Sequence, residues 1–210
     1  MVDIKGLTRK KKIQYIWDYY KIHIIVTIIV LLSIIGFIHG QITKINYEFN
    51  LTIIGSNFDV DKIEKFEKTL TPIVIKNGTE KQSARIEIMP VDRLTDGKTQ
   101  SATQYMQKFQ AELSANLIDL LIMSKSDYVA FQKQGMCLKL DNVQGINLSH
   151  LKAEELERAS DKGVYGIDLQ DSKILTEFGV KSDGMILCIP VNTKQKDKAI
   201  LTAKWILGNN

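Results

Sequence analysis

Residues 117–140 read LIDLLIMSKSDYVAFQKQGMCLKL, and the first seven of them decide the architecture. Leu117-Ile118-Asp119-Leu120-Leu121-Ile122-Met123 is an almost unbroken apolar run of strand length. A strand with one wet face alternates apolar and polar residues. An unbroken run is the pattern of a strand covered on both faces, as in a sheet with helices on either side. Ser124-Lys125-Ser126-Asp127 ends the run, and Ser126 or Asp127 can cap a short helix that closes at Gly135.

The same alternation of element types extends outward from this stretch. Ile45, Tyr47, Phe49, Leu51 and Ile53 alternate with Asn46, Glu48, Asn50 and Thr52, the period of two of a half-buried strand, and Gly55-Ser56-Asn57 stops it. Asp59 or Asp61 can then cap a helix whose stripe is Val60, Ile63, Phe66 and Leu70, with Pro72 and Asn77-Gly78 punctuating the chain beyond that stripe. Residues 84–89 form a second short strand closed by Pro90. A polar loop leads into a helical stripe of Ala102, Tyr105, Met106, Phe109 and Leu113. Toward the C-terminus, residues 185–191 read as another apolar strand, and Ala199, Ile200, Ala203, Ile206 and Leu207 mark a last helix. Residues 141–183 show no clear period. Strands alternating with helices predict an α/β domain over residues 45–210, with a mainly parallel, doubly wound sheet.

The chain before that domain is of another kind. Residues 1–21 hold six basic side chains (Lys5, Arg9, Lys10, Lys11, Lys12, Lys21) against Asp3 and Asp18, which accounts for the whole formal charge of +4. The rest of the chain is neutral, so no basic folded face is available for nucleic acid. From Ile22 to Thr43 there is no Asp, Glu, Lys or Arg. A bilayer span needs about 20 such residues. The basic cluster lies before the span, which predicts a cytoplasmic leader over 1–21, a transmembrane helix over 22–43 and an extracellular domain beyond it. Lys10, Lys11 and Lys12 suit the headgroup region, and so do the amphipathic rings of Tyr15, Trp17, Tyr19 and Tyr20. A cleaved signal peptide is the competing reading, but no A-x-A site follows the apolar run, and the first cysteine, Cys137, is far from it. An uncleaved signal anchor in the cell membrane is therefore expected.

Candidate chemistry is sparse. In open α/β sheets ligands sit beyond the carboxyl ends of the strands. Ser56 and Asn57 follow the first strand, and Ser124 and Ser126 follow the third. In a doubly wound order those loops share one crevice, where hydroxyls and backbone N–H groups could hold a carboxylate or a sugar hydroxyl. The same residues are also the ordinary choice for caps and turns. Cys137 and Cys188 lie in apolar strand-like settings that suit buried free thiols, with a disulfide as the alternative. No zinc-ligand spacing, GxSxG, P-loop, HExxH or GxGxxG occurs, and Cys137 with His150 makes a poor nucleophile pair in so apolar a setting. The paired acids Asp168/Asp171 and Glu154/Glu155 read as solvated surface. No metal, no cofactor and no enzymatic activity are expected.

The stretch LIDLLIMSKSDYVAFQKQGMCLKL resembles a recurring segment of extracytoplasmic solute-binding proteins of the type 2 periplasmic-binding-like kind: strand, Ser-containing loop, helix, Gly, short strand. The ending MILCIPVNTKQKDKAILTAKWIL is similar to their late element of apolar strand, Pro, polar loop and helix. The leader IKGLTRKKKIQYIWDYYKIHII resembles the start of small single-pass envelope proteins of low-GC Gram-positive bacteria. Residues 45–210 are short for the two lobes of a complete solute-binding protein, so the expectation is a domain resembling one lobe, with a trimmed pair as the alternative. The resemblance implies a membrane-anchored accessory or partner-binding subunit of a membrane complex, an ABC-type transporter with its permease subunits. A tethered receptor for a small solute is the second reading and an envelope enzyme the third.

The charge pattern yields a test. Protease added to intact cells or protoplasts should digest residues 45–210 and spare the leader. A protected outer domain would overturn the orientation, and a mature chain starting near Gln41 would show a cleaved signal.

Overall fold

The computed structural model describes residues 9–141, 143, 153–155, 163–170 and 172–208, with the backbone alone at residues 9, 11, 12, 15, 16, 42 and 153–155. His150 and Asp171 lie outside the described residues, as do the side chains of Lys11, Lys12, Tyr15, Glu154 and Glu155. The chain divides into two compact units, Met1–Ile45 and Asn46–Asn210.

The first unit is built on one helix, α1, Arg9–Ile42. Within it Trp17–Gln41 is long and apolar enough to cross a bilayer, as the helix of an anchor or a signal sequence is. Its apolar side chains are exposed all round: Ile22, Ile29, Leu32, Ile35 and Phe37 each present more than half of their surface. A helix apolar on every side needs an apolar surround. Its hydroxyls are already satisfied, since Thr27 Oγ1 donates to the His23 carbonyl (2.8 Å) and Ser33 Oγ to that of Ile29 (2.9 Å). Such back-bonding removes the cost of placing a hydroxyl in hydrocarbon. Lys10, Trp17, Tyr19 and Tyr20 are exposed on the N-terminal part of the helix.

The second unit is a mixed α/β domain. Its elements are β1 (Asn46–Gly55), α2 (Val60–Val74), β2 (Gln82–Pro90), α3 (Gln100–Ser114), β3 (Leu120–Ser124), α4 (Lys125–Lys133), β4 (Ala153–Glu155), β5 (Val164–Asp168), α5 (Lys173–Glu177), β6 (Met185–Cys188) and α6 (Lys196–Ile206). The sheet order is β2-β1-β3-β6-β5-β4. Along β3, Leu120 and Ile122 enter one apolar cluster, with Phe49, Leu51, Ile53, Phe66 and Leu187. Leu121 and Met123 enter a second on the opposite face, with Ile54, Phe109, Tyr128 and Ile186. A strand covered on both faces is what the apolar run requires.

The expectation of a mainly parallel sheet is met in one half only. β1 pairs in parallel with β2 and β3. The pairings β3–β6, β6–β5 and β5–β4 are antiparallel. Between β5 and β6 the chain makes only the five-residue α5, about 7.5 Å long, and comes back to the end of β5 that it left. β6 therefore starts where β5 ends and runs back. The region without period holds β4, β5 and α5. β5 reads Val-Tyr-Gly-Ile-Asp, and its Gly166 is obligatory: a Cβ there would lie 2.6 Å from Ile186 Cγ2 and 2.7 Å from the Tyr128 ring.

Other boundaries shift for local reasons. Asp59 is the cap of α2, accepting the Lys62 N–H, and the buried stripe is Ile63, Phe66, Leu70 and Val74, with Val60 70% exposed in the first turn. Pro72 lies inside α2, in its last turn, where it removes only one helical hydrogen bond. The cap of α4 is Ser124, not Ser126 or Asp127. Cys137 and Cys188 are free and buried.

Polar side chains then fix elements that apolar burial would leave loose. Asp119 Oδ2 accepts the Asn50 N–H (2.9 Å) and its Oδ1 accepts the Thr193 hydroxyl (2.7 Å), tying β3 to β1 and to the loop after β6. Glu48 receives the Gln82 amide and the Lys198 ammonium, which hold its carboxyl below the usual range and join β1, β2 and α6. Fully buried Asp127 gathers the Leu94 and Thr95 N–H groups (3.0 Å each), the Thr95 hydroxyl (2.6 Å) and the Ser124 hydroxyl (3.1 Å). It pins the loop after β2 onto the start of α4.

The edge strand β2 is handled in the same manner. The N–H groups of Ala84 and Ile86 donate to Thr71 Oγ1 (3.1 Å) and Glu67 Oε2 (3.0 Å), both on α2, and Pro90 has no N–H to offer. Side chains thus occupy donors that an edge would otherwise present to another strand.

Two outcomes are expected for residues 46–210. Asp127→Ala strands two backbone donors, each worth about 1–3 kcal/mol when buried and unpaired, so unfolding by urea should show a loss of about 3 kcal/mol or more; a loss under about 1 kcal/mol would refute the clamp. Glu67→Ala with Thr71→Val should open the β2 edge and give concentration-dependent self-association in sedimentation velocity, whereas a strictly monomeric variant would show that the plugs are dispensable.

Candidate functional site

The chain leaves β1 toward β2 on one side and reaches β3 on the other, so the winding reverses at β1/β3. Beyond the carboxyl ends of these strands, at such a reversal, α/β sheets place their ligands. A cleft of about 210 Å³ lies there, lined by Gly55 at the end of β1, Ser56 and Phe58 after it, Asp92 after β2, Ser124 at the end of β3, and Val180, Lys181, Asp183, Gly184 and Met185 before and at the start of β6.

Its floor is apolar. Gly55 closes β1 without a Cβ; one placed there would sit 3.4 Å from the Phe58 ring and 3.6 Å from the Met185 methyl, so both groups fold over the strand end. The wall formed by residues 180–184 is held from behind. Phe178 stacks on Phe66 of α2 with centroids 4.6 Å apart and planes 4° from parallel, and Trp205 of α6 lies 5.6 Å from Phe66. Gly179 turns the chain out of α5 at φ +73°, a conformation that favours glycine. The Lys125 N–H donates to the Gly184 carbonyl (3.0 Å), joining this wall to the start of α4.

The structure places Ser56 and Ser124 on the same cleft. Ser56 is half-buried; exposed Asn57, at φ 61°, forms the turn beside it, and exposed Ser126 lies outside the lining. Ser124 has little to spare for a ligand. Its hydroxyl donates to Asp127 Oδ2 (3.1 Å), accepts the Asp127 N–H (3.2 Å) and lies 3.0 Å from Ser126 Oγ. One proton and two lone pairs are then fully engaged. The charged groups of the cleft, Asp92, Lys181 and Asp183, are all exposed, and none stands out in the sequence. Two of them come from the region without period; a Lys-Ser-Asp-Gly turn before an apolar strand is the one available signal. A second, more open hollow continues from the same wall along Thr176, Gly179, Val180, Lys181, Ser182 and Asp183.

Two carboxylates and one ammonium around an apolar floor can select for charge and shape. Among the described residues no group of three His, Cys, Asp or Glu is placed to hold a metal ion.

No family model matches the chain, and no curated protein matches it. Among solved structures it is similar to an extracellular solute-binding protein family 1 from Alicyclobacillus acidocaldarius subsp. acidocaldarius DSM 446, at 20% identity and a TM-score of 0.35, over 60% of this chain and 28% of that one.

Proposed function

We propose that the chain is a membrane-anchored accessory subunit whose outer domain recognises a partner within a membrane complex through the cleft at the β1/β3 reversal. The complex is of the ABC-transporter kind that the sequence resemblance implies. The observation that carries this reading is the size and openness of the cleft. Pockets that hold small molecules enclose about 300–1,000 Å³ and bury most of the ligand. At about 210 Å³, with exposed Asp92, Lys181 and Asp183 at its rim, this cleft suits a side chain or turn presented by another protein. Anchoring adds to a modest contact, because a tethered domain meets a membrane partner at high effective concentration.

A tethered receptor for a small solute is the second reading, favoured by the position of the cleft and by half-buried Ser56 on its wall. Detergent co-purification of the full chain from its native membrane separates the two. On the partner reading, Lys181→Glu with Asp183→Lys should lower recovery of the partner about tenfold, equivalent to about 1.4 kcal/mol, with no change in the melting temperature of the domain. Replacing residues 1–40 with a cleavable signal should abolish recovery. A released domain that still supports the complex would sink this reading. On the receptor reading, a solute at 100 times its dissociation constant adds about 2.7 kcal/mol of stability, so a metabolite-panel melting screen would show a clear upward shift.

A further inference from the structure

The only two cysteines of the chain meet in its core. Cys188 is the last residue of β6 and is fully buried; Cys137, 3% exposed, follows α4. Cys137 forms an isolated antiparallel bridge with Pro190, held by the Leu138 N–H to the Ile189 carbonyl (2.8 Å) and the Val191 N–H to the Met136 carbonyl (2.9 Å). Directly opposed residues share a face of the pleat, and Cys188 is two residues from Pro190, so the two cysteines are diagonal neighbours on one face. The neighbouring Cys137 thiol, together with burial, pushes the Cys188 thiol well above its usual range. Both belong to the apolar cluster of Met123, Tyr128 and Ile186.

We propose that Cys137 and Cys188 are a disulfide-forming pair, closed in an oxidising compartment by exchange with a disulfide oxidant, either a small-molecule disulfide or a thiol–disulfide oxidoreductase. One cysteine, as thiolate, attacks the oxidant's disulfide and releases one oxidant thiolate. The second cysteine thiolate then attacks the protein sulfur of the mixed disulfide and releases the other. Two protons and two electrons leave the cysteines, and the oxidant ends as two thiols. The buried pair presents no reactive thiolate once packed, so the bond forms while the chain is folding. Diagonal neighbours lie about 7–8 Å apart at Cα, beyond the roughly 4.4–6.8 Å that a disulfide spans. The bond therefore requires a small backbone shift of the segment around Cys137, whose pairing with Pro190 is an isolated bridge. The bond encloses about 50 residues, including β5 and α5, and its main effect falls on the unfolded chain, where it removes conformations.

The test uses the full chain in detergent, unfolded under reducing conditions and refolded in a glutathione buffer poised to oxidise. Acid quenching, alkylation and peptide mass spectrometry should show Cys137 joined to Cys188, with neither thiol alkylated before reduction. Added reductant should lower the melting temperature of the domain by several degrees, and this shift should vanish in both Cys137→Ala and Cys188→Ala. Refolded protein in which both thiols alkylate without reduction, or which carries glutathione on either cysteine in place of the internal bond, would overturn the proposal.

Discussion

Leu120, Leu121, Ile122 and Met123 must all leave water although they point alternately to opposite sides of the sheet. Each apolar side chain of that size contributes about 1.5–3 kcal/mol when buried, so neither face can be left uncovered without forfeiting half of the gain. Two layers of helix are the physical answer. α2 and α6 supply Phe66, Leu70, Ala203 and Ile206 to one face. α3 and α4 supply Phe109, Tyr128 and Phe131 to the other. Once β3 is central, β1 must lie beside it with the same demand, and the reversal of winding between them results. The cleft is the by-product: a place where the helices diverge and no side chain is obliged to fill the space.

Covering both faces leaves the ends and edges of the sheet as the exposed liabilities, and these are managed by polar side chains aimed at backbone. Asp119, Asp127, Glu67 and Thr71 each accept a main-chain N–H from an element distant in sequence. A carboxylate in that role is fixed in position by donors that cannot move, which makes it a spacer of defined length between elements. The wall of the cleft is set in this manner from one side, through Asp127 and Ser124, and by aromatic stacking of Phe178 on Phe66 from the other.

The half of the domain running from β1 to α4 is legible in the sequence because each element is long enough to show its period. Ile63, Phe66 and Leu70 declare α2, and the β3 run declares itself. The other half is not legible. β5 is five residues with a glycine at its centre, and α5 is a single turn, so neither carries a repeat. Strand direction is hidden for the same reason, since a stretch without a period does not show where its strands begin or which way they run. Ser56 and Ser124 can be named because strand ends in such sheets face a common space. Asp92, Lys181 and Asp183 cannot, because nothing local distinguishes a charge beside a cleft from any other surface charge. The choice among Ser124, Ser126 and Asp127 as the cap is equally hidden: all three are good cap residues, and only the position of the last strand residue selects one.

The plugging of β2 by α2 also sets an order in time. A ribosome adding about 5–20 residues per second completes Val60–Val74 about 0.8–3 s before Gln82–Pro90. Glu67 and Thr71 are therefore already in the nascent chain when the donors of Ala84 and Ile86 emerge, and the helix that shields the edge is made before the edge itself. Had the helix come after the strand, each newly made chain would have carried a bare nine-residue template past its neighbours on the same message.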